Sequence, residues 1–210
     1  MRIPDSIRCA MRITHIDNIP HILKYGIVRR DSDLASPDYR SIGNESVISK
    51  RNLRPIAGTD LKIGDGIPFY FGPRSPMLYC IQNGCCVNMV NKSEIIYLII
   101  KIQDIIKNGF TAYFSDGNAS SLDTSIFKLY SLEELNRIVS IADVYDDRWG
   151  AAYDFSCLKR NKKQAELIVF NDMPPSIISY YAVSCSETRD RIIEIGVREC
   201  MVSVRPDFYY

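Results

Sequence analysis

Short apolar runs alternating with polar punctuation predict a chain with more strands than long helices. Residues 10–16, Ala-Met-Arg-Ile-Thr-His-Ile, read as a strand. Asp17 or Asn18 then caps a helix over residues 19–25, with Pro20 in its first turn and Gly26 as its stop. Residues 29–47 are polar and read as a loop, and residues 47–53 as a short helical piece carrying Lys50 and Arg51. Residues 60–66 are a turn, 68–71 a strand, 72–76 a rigid Gly-Pro loop, and 77–81 a strand or short helix. The clearest buried strand is 95–102, rich in β-branched residues, followed by a short helix over 104–108 ended by Gly109. Residues 111–114 form a strand running into the turn Ser115-Asp116-Gly117-Asn118. A capping box at Ser131 opens a helix over 131–139, and 143–158, with Trp149 and four aspartates, read as a structured loop. A strand starting near Glu166 follows, then a strand at 181–184, a helix over 187–196 and a last strand at 201–205.

A chain of 210 residues can bury a sizeable core, and residues 1–210 are expected to form a single domain. Its hydrophobic fraction of 46% and charged fraction of 24% are those of an ordinary soluble protein. The net charge of +1 means that a nucleic-acid site must be a local patch on a neutral body. Thirteen tyrosines supply aromatic faces of the kind on which bases stack. The seven cysteines are odd in number and form no CxxC pair, and there are only two histidines, so neither a disulfide framework nor a metal site is expected. Arg2, Asp5 and Arg8 interrupt any apolar leader, and the longest apolar run, near residues 95–100, is too short to span a bilayer. A cytoplasmic protein is expected.

Candidate chemistry gathers at residues 159–170. Lys159, Arg160, Lys162 and Lys163 place four cations in five positions ahead of the apolar run Leu167-Ile168-Val169-Phe170. Glu166 stands at the strand start, and Gln164 shares its face because side chains alternate along a strand. Two readings fit this stretch: a basic loop beside a carboxylate that works on an anionic ligand, or a solvated loop with a carboxylate at its rim. Thr14 and His15 lie at a strand end facing a helix start, where polar ligands or plain backbone hydrogen bonds are both served. Lys50 and Arg51 belong either to a lid that clamps a diphosphate or to an exposed helix. A Rossmann oxidoreductase is disfavoured, since no strand is followed by GxGxxG.

Six ordered segments carry a resemblance. They are Arg12-Ile-Thr-His-Ile-Asp-Asn-Ile-Pro, Lys50-Arg51-Asn52, Ile67-Pro-Phe-Tyr-Phe-Gly-Pro-Arg-Ser-Pro-Met-Leu-Tyr79, Phe114-Ser-Asp-Gly-Asn118, Lys163-Gln-Ala-Glu166 and Arg205-Pro-Asp-Phe-Tyr-Tyr210. Through them the sequence resembles the DarT family of DNA ADP-ribosyltransferase toxins. The resemblance implies an α+β ADP-ribosyltransferase fold, a split and bent β-sandwich with flanking helices and an NAD cleft. It implies transfer of ADP-ribose from NAD+, used as co-substrate without a metal, to a base of single-stranded DNA. Thymine is the base expected; guanine, RNA or protein acceptors on the same fold are the alternative, and a catalytically silent NAD- or nucleic-acid-binding module is a second one. A DarG-like macrodomain antitoxin is the implied partner.

The same resemblance assigns roles to residues. Glu166 matches the catalytic glutamate and Arg51 the lid arginine. Arg12, Thr14, His15, Asn18 and Arg51 fall on the NAD side. Asn118, Trp149, Tyr153, Lys159, Arg160, Lys162 and Lys163 are the DNA-side candidates, and Arg12 and Asn118 stand where some relatives carry histidine. Breaking the nicotinamide–ribose bond develops positive charge on the sugar, which a carboxylate holding the 2′-hydroxyl stabilises more in the transition state than in the ground state.

Overall fold

The period-two pattern is realised as eight strands in a computed structural model that describes residues 4–85, 87–149 and 157–210. In chain order the elements are β1 (Cys9–His15), α1 (Ile19–Tyr25), α2 (Glu45–Leu53), β2 (Ile67–Tyr70), α3 (Pro76–Asn83), β3 (Ile95–Lys101) and α4 (Ile102–Lys107). They continue as β4 (Ala112–Asn118), β5 (Ile126–Lys128), α5 (Leu132–Ile138), α6 (Ile141–Tyr145), α7 (Cys157–Lys163), β6 (Ala165–Val169), β7 (Ile178–Val183), α8 (Ser186–Glu194) and β8 (Val202–Val204). Among the described residues no helix exceeds nine residues, and none is long and apolar enough to cross a membrane.

The strands form one mixed sheet in the order β5-β4-β6-β2-β1-β3-β7-β8, antiparallel except for β7 and β8. The expected split lies at its centre. β1 and β3 share seven register pairs, whereas β1 and β2 share only Met11↔Tyr70. A single pair cannot hold two strands side by side along their length, so the sheet parts into two four-stranded halves. Tyr70 also pairs with Glu166, which puts the carboxylate beside the parting line.

Both halves cover one core. Alternate residues of one half (Ala10, Ile96, Leu98, Ile100) and of the other (Ile67, Phe69, Ala112, Phe114, Leu167, Val169) belong to the same buried cluster. Each Ile, Leu, Val or Phe side chain among them contributes about 1.5–3 kcal/mol on burial. The opposite faces carry smaller cores. One is built from Met11, Ile13, Ile95 and Tyr97 against the C-terminal Phe208 and Tyr209. The other is built from Tyr113 and Ile168 against Ile56, Ile63, Ala119 and Phe170.

One local alternative of the sequence is decided and two readings change. Residues 77–81 are helical, because Ser75 caps α3 by accepting from the Leu78 N–H and Gly84 ends it at φ +68°. Ser115-Asp116-Gly117-Asn118 is not a turn but the irregular end of β4, whose pairing with β6 shifts between Phe114 and Asn118. A bulge and a turn draw on the same small polar residues, so composition alone does not separate them. Lys159–Lys163 is not a loop but most of α7, docked on β4 by Asn161, which accepts from the Asn118 N–H at 2.9 Å.

Gly26 closes α1 at φ +85° with its Cα against the Met173 carbonyl, and an added Cβ would lie 1.9 Å from that oxygen. Gly26→Ala should therefore destabilise the protein by about 3 kcal/mol, from backbone strain plus a clash with main chain that cannot rotate away. Urea denaturation checks it; a loss below about 1 kcal/mol would show that the turn re-forms freely.

Candidate active site

β6 lies between β4 and β2, and all five of its residues are buried. Glu166 is consequently not a rim carboxylate: it is 3% exposed. A carboxylate so placed needs charge and hydrogen bonds to replace water. Its Oε1 accepts from Arg51 Nη1 at 2.8 Å and from the Ala119 N–H at 3.1 Å. Its main-chain N–H donates to Ser115 Oγ at 3.1 Å, and that hydroxyl donates to Gly117 O at 2.6 Å, so the bulge of β4 clasps the strand start. Among the described residues nothing donates to Glu166 Oε2, and Arg51 Nη2 is buried without a hydrogen-bond partner. Among the described residues, an acceptor and a donor without partners thus belong to one ion pair.

Arg51 reaches this position from α2, which Asn44 caps by accepting from Ser46 N and Val47 N. The helix itself is mostly exposed, but the Arg51 side chain near its C-terminal end is 13% exposed and turned to Glu166. Burial opposes the guanidinium charge, but Glu166 outweighs it and holds Arg51 above its ordinary pKa. Burial, and then the Glu166 charge, push the Tyr70 hydroxyl well up, so Tyr70 stays neutral beside the pair.

The end of β1 forms a second group. Thr14 and His15 are fully buried and Asn18 nearly so. Asn18 does not cap α1 with its side chain. Its Nδ2 donates to Thr14 Oγ1 and to Arg40 O, each at 2.9 Å, and its Oδ1 accepts from the Arg40 N–H at 2.9 Å. The polar loop is thereby tied across the strand end. His15 Nδ1 accepts from the Asp17 N–H at 3.1 Å, while its buried Nε2 has no hydrogen-bond partner. Burial lowers the pKa of His15, which favours the neutral ring with its proton on Nε2. Arg12 Nη1 donates to Pro68 O at 3.1 Å across the parting of β1 and β2, and its Nη2 lies 3.5 Å from the Tyr39 hydroxyl. Although burial works the other way, the Arg12 charge and a bond to Thr14 pull that phenol below its ordinary pKa.

The DNA-side candidates disperse. Asn118 adjoins the centre, donating through Nδ2 to Gln164 Oε1 at 3.0 Å and accepting from the Ser120 N–H. Trp149 donates to the Tyr210 hydroxyl at 2.9 Å and sits edge-on to Tyr79, so its ring is engaged with the C-terminus. Tyr153 lies outside the described residues. Lys159 pairs with Asp146 at 2.5 Å and Lys162 with Asp143 at 3.9 Å, whereas Arg160 is exposed. Lys163 is a correction to the solvated-loop reading: it is 2% exposed, and its amine donates to Pro73 O at 3.0 Å and Val144 O at 2.9 Å. Burial pushes its pKa down to about 8 against the opposing pull of Asp147 and Asp146. That charge is committed to the interior and offers nothing to a phosphate.

Several participants have no signature in the sequence. The Ala119 N–H is main chain, and Ser115 lies inside what reads as a turn. Arg54 is legible only as one more cation after Arg51, and Tyr39 as an aromatic residue within a polar loop. Among the described residues no group of three His, Cys, Asp or Glu side chains is placed to hold a metal ion.

A buried carboxylate whose second oxygen has no donor among the described residues, paired with a guanidinium that keeps an unbonded nitrogen, beside the weakest pairing of the sheet, suits a sugar hydroxyl, and the class that fold and site define is the ADP-ribosyltransferase. Comparison with known proteins narrows this. The family model "DarT: ssDNA thymidine ADP-ribosyltransferase" matches residues 11–210. A DNA ADP-ribosyl transferase of Thermus sp. (strain 2.9) is 30% identical over 207 residues, covering 94% of each chain. Thermus sp. 2.9 DarT solved in complex with ADP-ribosylated ssDNA superposes with a TM-score of 0.86 at 28% identity, over 100% of this chain and 99% of that one, and its complex with NAD+ with a TM-score of 0.79. A DNA ADP-ribosyl transferase–DNA ADP-ribosyl glycohydrolase fusion protein of Thermosipho africanus is 29% identical over 201 residues, covering 94% of this chain and 48% of the fusion. The chain belongs to the DarT family of NAD+-dependent, single-stranded DNA thymidine ADP-ribosyltransferases.

Proposed function

We propose that Glu166 and Arg51 carry the transfer of ADP-ribose from NAD+ to thymine in single-stranded DNA, and that residues 1–210 act as one catalytic domain. The observation behind this is the half-satisfied ion pair: Glu166 Oε1 is held by Arg51 Nη1 and Ala119 N, while among the described residues nothing donates to Oε2 and Arg51 Nη2 has no hydrogen-bond partner. Oε2 accepts a ribose hydroxyl and stabilises the positive charge that develops on the sugar as nicotinamide departs. Arg51 Nη2 donates to an anionic or carbonyl oxygen, of the diphosphate or of the base. The ring nitrogen of thymine is nucleophilic only once its proton is removed, and Glu166 is the carboxylate nearest to hand for that step. On the NAD+ side stand Arg12, Thr14, His15 and Asn18, with Tyr39 and Arg40 of the polar loop above them. His15 supports this placement through a buried Nε2 that makes no hydrogen bond, its nearest charged neighbour being Glu94 at 3.7 Å.

A mass-spectrometric comparison tests the reading: single-stranded oligonucleotides of varied base content are incubated with the protein and NAD+. Addition of one ADP-ribose confined to thymine-containing strands is expected. Label entering thymine-free strands, RNA or protein instead would overturn the choice of acceptor. Duplex DNA should react poorly, because the thymine ring nitrogen is occupied in the base pair.

Within the basic run, the exposed Arg160 and Lys162 are the cations available to phosphates: Lys163 is buried and Lys159 is held tightly by Asp146, whereas Lys162 has only a loose pairing with Asp143 at 3.9 Å. Changing Arg160 and Lys162 together to Ala should weaken single-strand binding and flatten its log–log salt slope by roughly 0.7 for each phosphate no longer neutralised. NAD+ affinity should stay unchanged. An unaltered slope would remove α7 from the DNA path.

The protein's expected setting is the cytoplasm, as a toxin opposed by a DarG-like macrodomain that removes the modification. The joining of transferase and glycohydrolase in the Thermosipho africanus fusion supports such a partner.

A further inference from the structure

α2 contains no buried residue, so apolar packing does not fix the helix that presents Arg51. Polar contacts at its C-terminal end do. Arg54, three residues after Arg51 and on the same face, sends its guanidinium to three main-chain carbonyls of one turn: Nη1 to Ala119 O and Ser121 O, and Nη2 to Thr124 O at 2.8 Å. The Arg54 N–H meets Arg51 O at 3.2 Å, and Arg54 O accepts from the Ile63 N–H at 2.9 Å. Gly64 lets the following turn press against Asn52, where an added Cβ would come within 2.7 Å of main chain. Ala119 is thus gripped on both sides, its carbonyl by Arg54 and its N–H by Glu166 Oε1.

We propose that Arg54 is a positioning residue for the transfer reaction, setting both groups that hold the Glu166 carboxylate: the Arg51 guanidinium, through α2, and the Ala119 N–H, through the 119–124 turn. A planar guanidinium can serve three converging carbonyls at once, whereas a lysine amine on a flexible stem cannot keep that geometry. The proposal rests on the reading that Arg51 and Glu166 carry the reaction.

The test is a double-mutant cycle on turnover at saturating NAD+, with the wild type, Arg54→Lys, Arg51→Lys and the double variant, all well below their melting temperatures. Arg54→Lys should lower kcat about tenfold with KM for NAD+ within about twofold. The double variant should fall within about threefold of Arg51→Lys alone, because misplacing a group already replaced removes little more. Losses that multiply in full would overturn the proposal, as would wild-type turnover in Arg54→Lys. Loss of cooperative melting in Arg54→Lys, and likewise in the neutral, shorter Arg54→Gln, would make Arg54 a fold-holding residue and also overturn it. Wild-type turnover in Arg51→Lys is the distinct result that overturns the underlying reading, and this proposal with it.

Discussion

Replacing Glu166 by Gln lowers the rate of thymine modification by about 10²–10³-fold while the fold survives. The amide can keep its carbonyl oxygen on Arg51 Nη1 and Ala119 N, where Oε1 accepts at 2.8 and 3.1 Å, so the local scaffold retains both bonds. What changes is the open position. An NH2 donor then stands where an anionic acceptor was, and neither a ribose hydroxyl proton nor a developing positive charge is accommodated. Glu166→Ala is the poorer test. It leaves the 13%-exposed Arg51 side chain without its counter-charge, and breaking a buried pair from one side costs about 3–5 kcal/mol. Oligonucleotide mass spectrometry and thermal melting of the same samples separate the two effects. A Gln variant within a few-fold of wild type would exclude Glu166 from the chemistry.

Lys163→Met should lower stability at neutral pH and should do so increasingly as pH rises. The methionine fills much of the same volume but leaves Pro73 O and Val144 O without their donor, at about 1–3 kcal/mol each where water cannot reach. The pH dependence follows from proton binding. In the fold the amine titrates near 8, against 10.5 in the unfolded chain, because burial disfavours its charge. Below pH 8 both states hold the proton and the group adds no slope. Between about 8 and 10.5 the unfolded chain holds a proton that the fold has released, so the wild type gains stability from this group as pH rises. The shift of about 2.5 pH units corresponds to about 3 kcal/mol, by which the gap between wild type and Lys163→Met should widen across that window. Taking the difference removes the common contribution of buried tyrosines such as Tyr181, which titrate in both proteins. Denaturant titrations at pH 7, 8.5 and 10 measure it, and a constant gap would mean that Lys163 stays charged in the fold. The same staple ties α7 to α6 and to the turn after β2, three residues before Glu166, so reduced turnover is expected to accompany the loss of stability.

The sequence by itself determined most of the elements and the identity of the central pair. Strands β1, β2 and β3, the helix after Asn18 and the Ser131 cap follow from local periodicity and punctuation, which depend on neighbours in the chain and survive in any tertiary setting. Glu166 and Arg51 were legible because six ordered segments resemble one family. Tertiary structure alone decided how those residues stand. Glu166 reads as a rim carboxylate, since a strand start next to lysines gives no sign of depth; it is buried because β6 has β4 and β2 on either side. The basic run reads as one patch, but Lys163, the last residue of α7, is drawn inward to Pro73 O and Val144 O while Arg160 stays exposed, a difference set by tertiary packing and not by composition. The Ser-Asp-Gly-Asn stretch reads as a turn, but pairing with β6 makes it a bulge whose Ser115 clasps Glu166. The lid's attachment through Arg54 to the carbonyls of 119–124 joins residues at least 65 positions apart by main-chain atoms, which carry no side-chain identity for a sequence to display.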